Sequence, residues 1–321
     1  MKRKKFVKEL KKVRLHEASH LHIVMVSIIF FLASLQFPLF TSQTAHKLSS
    51  FDYLTQDSHP IFLPTYDIEG KAYVVYDIHS KRILSSKNAT TSLPLASLSK
   101  VATALTALSL GSSTDTIVIS KRSIEGGFDL GLKDKQEWKL GELLKYMLVF
   151  SSNDAAYAVA SHYGGRDVFI SKMNEYAKTN NLDLTFTDPA GLDVGQSLGG
   201  YGNAEDVAKL FFFAYREMRE IMDSTTKHRQ KVYAVRGPIS GVPNTNQSIQ
   251  LLSGAEASKT GFTDLAGGNL GVIVDMSVGR PMILIVLGST KEGRFRDVSH
   301  IYSSIKQNLS VFNTPSTAIE K

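Results

Sequence analysis

The sequence has no cysteine among its 321 residues. Disulfides, thiolate zinc sites and a cysteine nucleophile are therefore excluded. A chain of this length can bury a core large enough to fold without covalent staples. Compositional extremes are missing too. Hydrophobic residues make up 43% and charged residues 21%, which excludes collagen-like, low-complexity and wholly disordered classes.

A basic stripe is also lacking. The net charge is +7, but residues 1–20 hold eight basic and two acidic side chains, so they carry +6 of it. The other 301 residues hold 29 basic and 28 acidic side chains. A nearly neutral body offers no track for a phosphate backbone, so nucleic acid is excluded as a partner.

Charge disappears altogether between residues 18 and 46, where there is no Asp, Glu, Lys or Arg. The most apolar part, residues 23–40, is 18 residues long. That meets the lower limit for a membrane span and exceeds a usual signal-peptide core. No convincing small-x-small cleavage site follows it, and a cleaved signal peptide is the alternative reading. We expect a basic cytoplasmic head over 1–20, a transmembrane anchor or uncleaved signal over 21–42, and a linker over 43–66. Positive charge before the span places the rest of the chain outside the cytoplasm. The head contains His16-Glu17-Ala18-Ser19-His20, an H-E-x-x-H match. A catalytic zinc also needs a third ligand and a walled cleft, so this copy is read as chance and no metal or cofactor is expected.

The remaining chain alternates patterns in a set order. Residues 71–77 and 82–84 read as a hairpin. Helices are expected over 98–110, 140–150, 154–162, 166–178 and 204–217, the last with Asn203 as N-cap. Strands follow at 257–262, 269–276 and 281–287, then a helix from about 296 to 309. Two strands, helices, three strands and a helix imply an α+β fold with an antiparallel sheet. The folded domain is expected over 67–310 and a frayed tail over 311–321.

Three short motifs carry chemistry. Ser97-Leu98-Ser99-Lys100 is an S-x-x-K at a helix start. Residues three apart share a helix face, with about 5–6 Å between Cβ atoms. A serine hydroxyl needs a neighbouring base, and a lysine of lowered pKa can serve. Ser224-Thr225-Thr226-Lys227 and Ser303-Ser304-Ile305-Lys306 fit the same pattern and are read as ordinary helix faces. Ser151-Ser152-Asn153 reads as an interhelical turn. Lys259-Thr260-Gly261 lies on a strand, where Gly261 would let a ligand approach the backbone.

These motifs occur in the order of the penicillin-binding and class A β-lactamase set. With Asp188-Pro189-Ala190-Gly191-Leu192 and Ala266-Gly267-Gly268-Asn269-Leu270, the chain resembles the low-molecular-mass D-alanyl-D-alanine carboxypeptidases over about residues 68–310. These are serine peptidases of the penicillin-binding class. The resemblance implies a β-lactamase/transpeptidase-like fold, an antiparallel sheet flanked by helices with a helical subdomain. It implies removal of the terminal D-alanine from peptidoglycan stem peptides, with β-lactams as acylating inhibitors. Ser97 would be the acylated nucleophile, Lys100 its base and Ser151 a proton relay. Asn153 would hold the substrate amide, Lys259 and Thr260 would hold the terminal carboxylate, and Gly261 would line the substrate site beside them. The backbone N–H groups of Ser97 and Phe262 would form the oxyanion hole. Arg294 would stand near the carboxylate, with Arg296 as a nearby rival.

The chain departs from the family at Phe262, where many relatives carry histidine, and at Ser152, where relatives often carry glycine. A D,D-endopeptidase cutting crosslinks remains the alternative reading. A class A β-lactamase would add Glu in an E-x-x-L-N pattern, and Glu175, Glu205, Glu217 and Glu220 do not fit it.

Overall fold

The computed structural model describes residues 63–312, apart from 126–130, 237–239 and 278. The basic head, the apolar segment and the H-E-x-x-H match lie outside the described residues. Among the described residues, no helix is long and apolar enough to cross a membrane.

A five-stranded antiparallel sheet joins the two ends of the domain. Its strands are β1 (Ala72–Asp77), β2 (Arg82–Lys87), β3 (Ala255–Thr263), β4 (Gly267–Asp275) and β5 (Pro281–Ser289), in the order β3-β4-β5-β1-β2. β1 pairs with β5 from Ala72↔Leu287 to Asp77↔Met282. Both sheet faces are covered. Val74, Tyr76, Ile283, Ile285 and Leu287 belong to one core, with the helices. Tyr73, Val75, Leu284, Val286 and Val272 belong to a second core, with Val298, Ile301 and Ile305. Double burial explains why residues 282–287 are uniformly apolar rather than alternating.

The helices are α1 (Ser99–Leu110), α2 (Leu140–Phe150), α3 (Asn153–His162), α4 (Arg166–Thr179), α5 (Ala204–Glu217), α6 (Arg219–Asp223) and α7 (Gly293–Phe312). Every residue of α1 from Ser99 to Ala107 is buried. Its Ala- and Thr-rich sequence lets neighbours close in on all sides, and a helix buried all round has no polar face. α5 packs on the sheet where Gly271 leaves room: a Cβ there would lie 2.4 Å from the Phe211 ring. Burial of a phenylalanine of this kind contributes about 1.5–3 kcal/mol.

Several expected boundaries shift, each for a local reason. α7 starts at Gly293, about three residues before the expected 296, because the Thr290 hydroxyl accepts from Gly293 N at 2.9 Å. Leu63 and Tyr66, expected in the linker, are buried in the second core. Tyr66 N also donates to Tyr73 Oη at 2.8 Å, so the folded domain begins within the expected linker. At the other end α7 runs to Phe312, into the expected tail. Short ribbons of two to four residues were not foreseen, since they are too short to show a period. One of them joins Leu93–Pro94, Gly200–Gly202 and Leu184–Phe186 and anchors the chain just before Ser97.

Candidate active site

Three pieces of chain meet in one cleft. The first is the turn before α1. Ser97 lies in a 3₁₀ turn, Ala96–Leu98, and Lys100 in the first turn of α1. The helix expected over 98–110 starts one residue later, at Ser99, with Ser97 in the turn ahead of it. The difference arises at Ala96, whose φ is +49°, a left-handed conformation that a non-glycine residue adopts only when its surroundings hold it. They do so here. Leu95 N donates to Gly200 O at 2.9 Å, and Asn269 Nδ2 donates to Pro94 O at 2.9 Å. The same Asn269 accepts from Gly288 N at 2.8 Å, so its amide joins the turn to the sheet.

Lys100 is fully buried. Its Nζ lies 2.8 Å from Ser97 Oγ, 2.7 Å from Asn153 Oδ1 and 2.7 Å from Ala190 O. Two of these three atoms can only accept. A neutral amine can donate two protons to them and turn its lone pair toward the Ser97 hydroxyl.

The second piece is the junction of α2 and α3. Ser151 is left-handed, with φ of 64°, and this sharp turn separates the two helices. Ser152 caps α3 by accepting from Ala155 N at 2.9 Å. Asn153 is the first residue of α3.

The third piece is β3. Lys259 is 1% exposed. Its Nζ donates to Ser151 Oγ at 2.8 Å and to Thr260 O at 2.7 Å. Its pKa is pushed well below 10.5, first by burial, then by the charges of Lys100 and Arg294. Gly261 brings the strand against the nucleophile turn. A Cβ there would lie 2.9 Å from Leu95 O, 3.3 Å from Ala96 Cβ and 3.3 Å from Leu98 N. Phe262 follows, with its side chain exposed.

The structure thus brings together Ser97, Lys100, Ser151, Asn153, Lys259, Thr260 and Gly261. It also separates the two arginines. Arg294 is buried and donates from Nη1 to Gly261 O at 2.6 Å, and burial lowers its pKa. Arg296 pairs with Glu69 on the surface.

Other contributors were not singled out from the sequence. The Ala190 carbonyl is aimed at Lys100 by a turn built on Asp188, which is 2% exposed. Asp188 accepts from Ala190 N at 2.8 Å and Leu192 N at 3.1 Å, and pairs with Arg166 at 3.3 Å. It also accepts from Tyr157 Oη at 3.1 Å. The Tyr157 phenol is pushed up, first by burial and then by the charge of Asp188. Gly191, at φ +71°, lets this turn press on Ala96, whose carbonyl oxygen would lie 2.0 Å from a Cβ. The Asp-Pro and Gly signals of a turn were visible, but a carbonyl acceptor has no residue signature. Thr245, whose hydroxyl lies 2.6 Å from that of Thr260, gave no signal. Among the described residues, no cluster of three His, Asp or Glu could hold a metal.

A hydroxyl beside a buried amine, at a helix start and along a strand edge, defines a serine acyltransferase or hydrolase with lysine in place of a histidine base. The chain belongs to the D-alanyl-D-alanine carboxypeptidase family, Peptidase_S11, whose profile matches residues 56–291. It is 28% identical over 233 residues to D-alanyl-D-alanine carboxypeptidase DacB2 of Mycobacterium tuberculosis, covering 72% of this chain and 79% of that one. It is 26% identical over 262 residues to the D-alanyl-D-alanine endopeptidase of Escherichia coli, covering 79% and 82%. Among solved structures it is similar to a D-alanyl-D-alanine carboxypeptidase of M. tuberculosis, with TM-score 0.69, 25% identity, and 79% and 96% of the two chains covered. It is also similar to penicillin-binding protein D2 of Listeria monocytogenes in its ampicillin-bound form, with TM-score 0.63, 26% identity, and 75% and 99% covered.

Proposed function

We propose that this protein is a serine-type D-alanyl-D-alanine carboxypeptidase, which removes the terminal D-alanine from peptidoglycan stem peptides and is acylated by β-lactams. The observation that carries this reading is the Lys100 amine, buried and 2.8 Å from Ser97 Oγ. In its neutral form Lys100 takes the Ser97 proton as Oγ attacks the carbonyl of the penultimate D-alanine. Negative charge develops on that carbonyl oxygen, and the backbone N–H groups of Ser97 and Phe262 stabilise it. The proton then passes through Ser151 to the leaving amine. Asn153 holds the substrate amide while keeping Lys100 in place. Lys259 and Thr260, with Arg294 behind them, receive the terminal carboxylate. Water then hydrolyses the ester on Ser97. A β-lactam opens on the same serine, but its amine stays tethered, which stalls the second step.

Residues 21–42 anchor the protein in this reading, and the catalytic domain stands on the extracytoplasmic face of the membrane. The eight basic residues before the apolar segment support that orientation.

The test is mass spectrometry of products from a pentapeptide ending in D-Ala-D-Ala and from a crosslinked muropeptide. Release of one D-alanine from the pentapeptide is expected. Cleavage of the crosslink alone would favour the endopeptidase reading instead.

A further inference from the structure

β3 changes character at one residue. Lys259, Thr260 and Gly261 are buried, whereas Phe262 is 40% exposed. Across the sheet, Phe262 pairs with Gly268, and Gly268 pairs with Ser289. Gly268 has no side chain to stand between them, and none would fit: a Cβ there would lie 2.0 Å from Thr290 O. Lys291 therefore reaches across the bare strand, and its Nζ sits 5.3 Å from the centre of the Phe262 ring.

Lys291 is exposed and, among the described residues, forms no ion pair. The other cations nearby are already engaged. Arg294 donates to Gly261 O and Arg296 pairs with Glu69. The result is an apolar surface capped by a cation that makes no ion pair among the described residues, at the rim of the cleft.

The polarity of the substrate follows from the proposed function, on which this inference rests. With the terminal carboxylate at Lys259 and Thr260 and the scissile carbonyl beside Gly261, the acyl side must run past Phe262 toward Thr263. An extended peptide advances about 3.3 Å per residue. The residue immediately before D-Ala-D-Ala thus arrives at the Phe262–Lys291 rim. We infer that Phe262 and Lys291 form a specificity subsite for that residue, selecting a side chain with an apolar stem and a terminal carboxylate. The stem lies on the ring and the carboxylate meets the Lys291 ammonium. A cationic side chain would meet a like charge.

The probe is a set of three N-acetyl tripeptides ending in D-Ala-D-Ala, with L-α-aminoadipate, L-norleucine or L-lysine as the first residue. For the unmutated protein, kcat/KM should fall in that order. The acid should exceed the lysine peptide by about fivefold, the scale of a single exposed charge pair. The ratio should shrink as ionic strength rises, which a purely structural lysine would not cause. Lys291→Ala should flatten the series, and Lys291→Glu should place the lysine peptide first. Equal rates on all three peptides in the unmutated protein, or an unchanged order in Lys291→Glu, would overturn the subsite while leaving the carboxypeptidase reading intact. Release of no D-alanine from any peptide would overturn that reading and the subsite with it.

Discussion

Lys100 Nζ and the carbonyl oxygen of Ala190 are 2.7 Å apart although 90 residues separate them in the chain. That contact joins the turn at Asp188 to the lysine. In the proposed mechanism a neutral Lys100 donates to Ala190 O and Asn153 Oδ1 and turns its lone pair toward Ser97. The turn is held from below as well, where the Thr103 hydroxyl on α1 donates to Pro189 O at 2.6 Å.

Removing the Lys100 amine should therefore affect both chemistry and stability. Lys100→Ala should lose acylation by penicillin, because an unassisted serine is nearly inert at neutral pH. It also strands two acceptors, Asn153 Oδ1 and Ala190 O. Leaving a buried acceptor unsatisfied costs about 1–3 kcal/mol. Urea unfolding should show a loss on that scale, alongside an acylation rate below detection.

Carboxylate recognition should depend on pH through Lys259. Its pKa is held well below 10.5 by burial and neighbouring cations. The charged form binds an anion, so preference for a free acid over the C-terminal amide is full below the lowered pKa. It fades as pH rises through that value. The ratio of kcat/KM for the acid and amide forms of one peptide, followed across pH, measures this. Linkage gives a second sign. The unfolded chain keeps the Lys259 proton up to about 10.5, so this residue's contribution to stability should rise with pH between its folded value and that limit.

Gly261→Ala should slow the reaction without unfolding the protein. The added Cβ would press on Leu95 O at 2.9 Å and push β3 away from the Ser97 turn. A misplacement of about 1 Å can cost a hundredfold. Steady-state kinetics should show the fall mainly in kcat/KM, with a circular dichroism spectrum like that of the unmutated protein.

Ser152 is a cap rather than a reacting group. Ser152→Ala should cost about 1 kcal/mol and Ser152→Gly only a few tenths. Thermal melts of the two variants check the difference.

Much of this site was legible because its motifs sit on regular elements. Ser97 and Lys100 are three residues apart, and a 3₁₀ turn running into α1 keeps them on one side. Lys259 to Gly261 lie on the strand expected over 257–262 and observed as Ala255–Thr263. The order of strands in the sheet was not legible. β1 pairs with β5, from the opposite end of the domain, and no local pattern encodes such a partner. Nor was the left-handed Ala96, since the turn around it is held by Gly200 and Asn269 from two other segments. Position in α7 sets Arg294 and Arg296 apart. Arg294 falls on the face turned toward β3, whereas Arg296 falls toward Glu69.

The most direct test of the central claim is peptide mapping of the protein after brief exposure to penicillin. A single covalent adduct on the peptide containing Ser97, absent in Ser97→Ala, is the predicted result. An adduct on Ser224 or Ser303, or full labelling of the Ser97→Ala variant, would contradict it.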